Sequence, residues 1–115
     1  MRIVVWNARM GLNRKQSALA ELKPDVAVRP ECAADFSAPP GHWAWAGSNR
    51  RQGIGVLSYG DYRVALDASY DPRLPWAAPI AVSGPLAFFL LAVWAPDRIA
   101  SQFTRRWRPT AAPYR

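Results

Sequence analysis

Two short apolar runs bracket an amphipathic stretch, and that order leaves the first third of the chain few ways to fold. Ile3-Val4-Val5-Trp6 and Val26-Ala27-Val28 are consecutive apolar residues, rich in β-branched side chains, the pattern of strands buried on both faces. Between them lies a loop, "NARMGLN", that contains Gly11 and ends on Asn13, a residue suited to a helix N-cap. From Arg14 to Lys23, Ala18, Leu19 and Leu22 recur at helical spacing, while Arg14, Lys15, Gln16 and Glu21 fill the other face and Pro24 stops the helix. Strand, helix and strand in succession predict a βαβ-like unit, whose right-handed crossover lays the two strands parallel.

Beyond residue 31 the punctuation changes. Pro39-Pro40-Gly41 and Gly47-Ser48-Asn49 bracket a short aromatic strand from Trp43 to Ala46. The stretch "GIGVLSYGDYRVALD" reads as two runs pivoting on Gly60-Asp61, which predicts a tight hairpin. Residues 67–79 are a Pro- and Asp-containing loop, and two further strands, Ile80 to Val82 and Leu86 to Trp94, flank Ser83-Gly84-Pro85. No repeat of solenoid period is present.

A chain of 115 residues, half of them hydrophobic and a fifth charged, is long enough for one domain and too apolar for a disordered one. Its net charge of +7 is unevenly spread. Residues 1–95 carry +3, and residues 96–115 carry +4 from Arg98, Arg105, Arg106, Arg108 and Arg115 against Asp97. The composition shift divides the chain into a folded part, 1–95, and a basic, poorly ordered tail, 96–115, with a weak helical pattern from Ile99 to Trp107. Cys32 is the sole cysteine, so neither an intrachain disulfide nor a cysteine zinc cluster can form. The N-terminal apolar run is too brief for a secretory signal, and the longest apolar stretch, Pro85 to Ala95, is eleven residues, about half of a bilayer span. A cytoplasmic protein with no membrane partner is expected.

The chemistry gathers at the ends of the first two strands. In α/β sheets ligands sit outside the carboxyl ends of the strands, where Asn7 and Glu31 stand. An amide oxygen beside a carboxylate offers two hard donors, an incomplete shell of the kind Mg²⁺ accepts while keeping water and phosphate oxygens. A turn-forming amide and a solvated charge account for the same two residues. Arg50 and Arg51, ahead of Gly53 and Gly55, can pair with phosphate or form a solvated loop pair. His42, the only histidine, reads as a loop residue packed by Trp43.

The segment "RIVVWNARMGLNRKQSALAELKPDVAVRPE" resembles the N-terminal signature of the endonuclease/exonuclease/phosphatase family, in which a strand ending in Trp-Asn leads through a helix to Pro-Asp, an apolar strand and a Glu. The region "GSNRRQGIGVLS" and the strand "FFLLAVWA" extend the likeness over residues 1–95. The resemblance implies an α/β fold, the N-terminal portion of a four-layer α/β sandwich with a βαβ start followed by mostly antiparallel strands. It also implies a Mg²⁺- or Mn²⁺-dependent hydrolase of phosphodiester or phosphomonoester bonds, nuclease-like, with DNA among the candidate substrates. Glu31 would be the principal metal ligand, and Asn7 its partner or an orienting group for phosphate. Arg29 and Pro30 depart from the apolar or Gln residues of that signature. The family's Asp-x-Asn turn and its C-terminal Asp-His pair have no counterpart here, which predicts a truncated member.

Two other readings fit the sequence. One is a non-catalytic remnant of that fold, whose exposed apolar sheet face invites self-association. The other is a basic nucleic-acid-binding protein that uses arginines interleaved with Trp43, Trp45 and Trp107 for stacking.

Overall fold

The computed structural model describes residues 1–7, 18–36, 39 and 41–94. Seven strands make two sheets: β1 (Ile3–Val5), β2 (Val26–Cys32), β3 (Trp43–Asn49), β4 (Gln52–Ser58), β5 (Arg63–Leu66), β6 (Ala77–Ser83) and β7 (Phe88–Val93). The four-stranded sheet has the order β1-β2-β4-β3 and the three-stranded sheet the order β5-β6-β7. β1 and β2 pair in parallel, Ile3 opposite Val26 and Val5 opposite Val28, and the other pairings are antiparallel.

The expected α/β sandwich is overturned. Strand accounts for 51% of the described residues and helix for 5%, so the protein is mostly β. The reason lies in the patterning: one stretch of the chain has a helical period, and most of the remaining apolar residues fall in short runs of strand length. Of the helix expected from Arg14 to Lys23, residues 18–21 are helical, and residues 8–17 lie outside the described residues. The expected tail, 96–115, also lies outside them.

The two sheets pack face to face. Val26 and Val28 of β2, Ala44 and Ala46 of β3, and Ile54 and Val56 of β4 meet Val64, Ala78, Ile80, Val82 and Ala92 of the second sheet in one buried cluster. Alternation explains the selection, because every second residue of each strand faces inward. The outward face of the four-stranded sheet carries a second cluster, Leu19, Ala27 and Leu57, with Val4, Trp6, Phe36, Trp43 and Tyr59 packed on it. Glycines make that layer thin enough to hold indoles. A Cβ at Gly53 would run into the Trp45 ring and one at Gly55 into the Trp43 ring, so the two rings lie across β4. Their Nε1 atoms then donate to the carbonyl oxygens of Cys32 and Ala34 at 3.0 Å each, which ties down the chain leaving β2.

The hairpin expected at Gly60-Asp61 is not formed. Gly60 does take a left-handed turn at φ 61, but β4 belongs to one sheet and β5 to the other, so the turn is a corner between layers. Sheet packing wins over local pairing here because both runs have an apolar face, and each buries it against the opposite sheet. The outer face of β7 is left open. Phe89 and Leu91 are 75% and 62% exposed, and Val93 beside them is also exposed.

Candidate functional site

Parallel pairing brings Asn7 to the end of β2. Beyond the Val5–Val28 pair, the Trp6 N–H donates to the Val28 carbonyl at 3.0 Å, and Asn7 follows alongside Glu31. Asn7 Nδ2 donates to Glu31 Oε2 at 3.0 Å. From the opposite side, β4 begins at Gln52, and Gln52 Nε2 donates to Glu31 Oε1 at 3.1 Å. One carboxylate is therefore held by two amides from two neighbouring strands.

Glu31 does not stand past the end of its strand, as the sequence suggests, but within it, on an irregularity. Arg29 pairs with Gly55 and Cys32 with Gly53, so Pro30 and Glu31 together oppose the single residue Ile54. That is a β-bulge, and Glu31 occupies the left-handed region at φ 58. For a residue with a side chain this conformation costs on the order of 1–2 kcal/mol. The bulge breaks the alternation that would place Glu31 on the same face as Arg29, and leaves its carboxylate half-exposed. Glu31 thus combines a strained backbone with a carboxylate held by two amides.

The donor chemistry fits a hydrated divalent cation. Each Glu31 oxygen accepts one amide N–H, so each retains a lone pair, and the amide oxygens of Asn7 and Gln52 are further hard donors. Among the described residues no three His, Cys, Asp or Glu side chains gather into a metal-binding group. The cluster therefore offers one carboxylate and two side-chain amides as oxygen donors.

The arginines expected to bind phosphate make local loop contacts. Arg50 Nη2 pairs with Asp35 Oδ1 at 3.0 Å, both side chains largely exposed, and the Arg51 N–H donates to Asn49 Oδ1 at 2.9 Å. An exposed pair of this kind contributes about 0–1 kcal/mol and frees its arginine easily. His42 belongs to the other end of the sheet. Its N–H donates to Ser58 Oγ, and Ser58 opposes Val26 at the start of β2 while Gly53 opposes Cys32 at its end. Five residues of strand separate those pairs, about 17 Å. His42 cannot act on a group bound at Glu31.

Two neighbours went unread in the sequence. Gln52 is a lone polar residue ahead of Gly53, and only the antiparallel register brings it to Glu31. Arg29 is fully buried, with its guanidinium carbon 4.8 Å from the centre of the Trp6 ring. The alternation Ala27, Arg29 was the available signal, since it places Arg29 on the indole-covered face. Burial works against the charge of Arg29, an effect partly offset by Cys32 and Tyr59. Burial also pushes the Cys32 thiol up to about 11, so it is a protonated structural group that donates to the Arg29 carbonyl at 3.1 Å.

Compared with known protein families, with curated proteins and with solved structures, the chain matches none. No helix among the described residues is long and apolar enough to cross a membrane.

Proposed function

We propose that Glu31, Asn7 and Gln52 form the metal-holding part of a phosphoester hydrolase site, one that uses Mg²⁺ or Mn²⁺. The observation that carries this reading is the clamped carboxylate: Glu31 in a left-handed bulge, with one amide N–H on each of its oxygens. The likeness of residues 1–95 to the endonuclease/exonuclease/phosphatase signature supports it, since Glu31 and Asn7 are the residues that the signature supplies. Bound there, the ion would supply positive charge for the phosphoryl oxygens and leaving group. Glu31 would hold it, and Asn7 and Gln52 would fix the carboxylate and orient substrate phosphate. Arg50 lies within a loop pair that a phosphodiester backbone could compete for.

A second reading rests on the same cluster. Glu31 is the only charged residue of the three, and among the described residues no group of three His, Cys, Asp or Glu side chains gathers. A site so composed can hold metal and phosphate without turning a substrate over. Mg²⁺-dependent hydrolysis of an abasic or nicked duplex, and of a simple phosphodiester, separates the two when compared with Glu31→Gln. Turnover lost in Glu31→Gln supports the hydrolase. No turnover above Glu31→Gln, with metal still bound by the unaltered chain, supports the binding remnant.

A further inference from the structure

The indole-covered face of the four-stranded sheet buries a charge that no carboxylate among the described residues pairs with. Arg29 is 0% exposed, and its Nε, Nη1 and Nη2 atoms are buried with no hydrogen-bond partner. The face of Trp6 attracts the guanidinium, but a desolvated cation–π contact is worth about 2 kcal/mol, whereas the effective cost of removing an ion from water is several. Stacking also leaves the in-plane N–H donors unused. Arginine cannot shed its proton to escape the cost.

The chain's own carboxylates are otherwise engaged or elsewhere. Glu31 accepts from Asn7 and Gln52 and not from Arg29, Asp25 accepts from the Arg2 N–H, Asp35 pairs with Arg50 and Asp71 with Arg73. Asp67 accepts from Ser69, and Glu21 and Asp61 are exposed. Residues 8–17, 37, 38 and 40 contain no acidic residue, so Asp97 is the single acidic side chain beyond the described ones. A buried guanidinium fork with five donors matches two oxygens of a small oxyanion better than it matches any other partner.

We propose that Arg29 anchors an anion-binding site beneath the Trp6 indole, and that its ligand is a small oxyanion of the phosphate class. Trp6 follows the three-residue edge strand β1, is half-buried, and lies 4.8 Å from the guanidinium carbon, so an anion that reaches the fork must displace its ring. The site requires no metal and holds whether or not Glu31 binds one.

The test is thermal unfolding of the full chain titrated with inorganic phosphate, at an ionic strength fixed high with NaCl so that surface arginines are screened. The midpoint of the unaltered chain rises with the logarithm of phosphate concentration, and Arg29→Met abolishes the rise. In phosphate-free buffer Arg29→Met unfolds at a higher temperature than the unaltered chain, because a charge without a partner has been removed. A rise that persists in Arg29→Met, or no rise in the unaltered chain, overturns the proposal. So does a drop in midpoint with Asp97→Asn that matches the drop expected for a lost counter-charge, with no phosphate response in either protein. Should Arg29→Met fail to fold, ³¹P line broadening on Arg29→Lys decides: binding weakened by about tenfold or more supports the fork, and unchanged binding contradicts it.

Discussion

Gln52 and Glu31 are joined side chain to side chain at 3.1 Å across two antiparallel strands, at the place where the register slips by one residue. The slip takes Glu31 off the buried face, and Gln52 then holds it. Replacing Gln52 with Ala removes one of the two amides fixing the carboxylate. Metal affinity should fall about tenfold, as it does when a group orienting a ligand is lost, while stability falls by only about 1 kcal/mol. Calorimetric Mn²⁺ titration and urea unfolding of the same protein read the two effects separately.

Gly55→Ala tests the indole layer. A Cβ there would strike the Trp43 ring, which is itself held by its bond to the Ala34 carbonyl. Overpacking of this kind costs about 1–3 kcal/mol. Urea unfolding should show that loss together with a changed near-ultraviolet tryptophan spectrum, and a neutral substitution would mean that the ring does not lie across β4.

Lys23 ends the helical turn in a left-handed conformation, φ 49, just before Pro24. Glycine adopts that conformation without the Cβ clash. Lys23→Gly should therefore stabilise the protein by about 0.5–1 kcal/mol, seen as a higher unfolding midpoint.

Cys32 carries a pH prediction. Its folded pKa is raised to about 11 from an ordinary 9, chiefly by burial. A raised pKa means that the folded state keeps its proton while the unfolded state loses it, so the contribution to stability is full below pH 9 and lost as pH rises toward 11. Unfolding midpoints measured across that range should fall, and Cys32→Ala should flatten this part of the decline. At neutral pH the folded thiol should resist alkylation and react freely only in denaturant.

Phe89 and Leu91 face outward from β7, an edge strand whose six residues include no charge and no proline. Such an edge is an aggregation hazard. Leu91→Lys should raise the concentration at which light scattering begins and leave the unfolding midpoint within about 0.5 kcal/mol.

How much of this was legible depended on the range of the interaction. The runs at Ile3 and Val26 announced β1 and β2, and the crossover rule made them parallel, because apolar periodicity is local. The run Ile80 to Val82 falls within β6 and β7 falls within Leu86 to Trp94, but the loop read over residues 67–79 stops short, because β6 already begins at Ala77. What failed was the inference from one helical segment to a helix-covered sandwich, when most of the chain forms short strands and buries sheet on sheet. Gly60-Asp61 misled for a similar reason: a turn signal gives the turn, not which sheet the chain enters afterwards. Asn7 and Glu31 were visible as polar residues at strand ends, but the bulge, the Gln52 clamp and the buried Arg29 depend on a register set between distant strands.

The claim that Glu31 is a metal-holding carboxylate is tested most directly by Mn²⁺ binding, followed by the loss of the free-ion electron paramagnetic resonance signal and competed with Mg²⁺. The unaltered chain should bind one Mn²⁺ that Mg²⁺ displaces. Glu31→Gln, which keeps the shape of the side chain and removes its charge, should bind none at the same concentrations, with an unchanged circular dichroism spectrum. Equal Mn²⁺ binding by the two proteins would contradict the account.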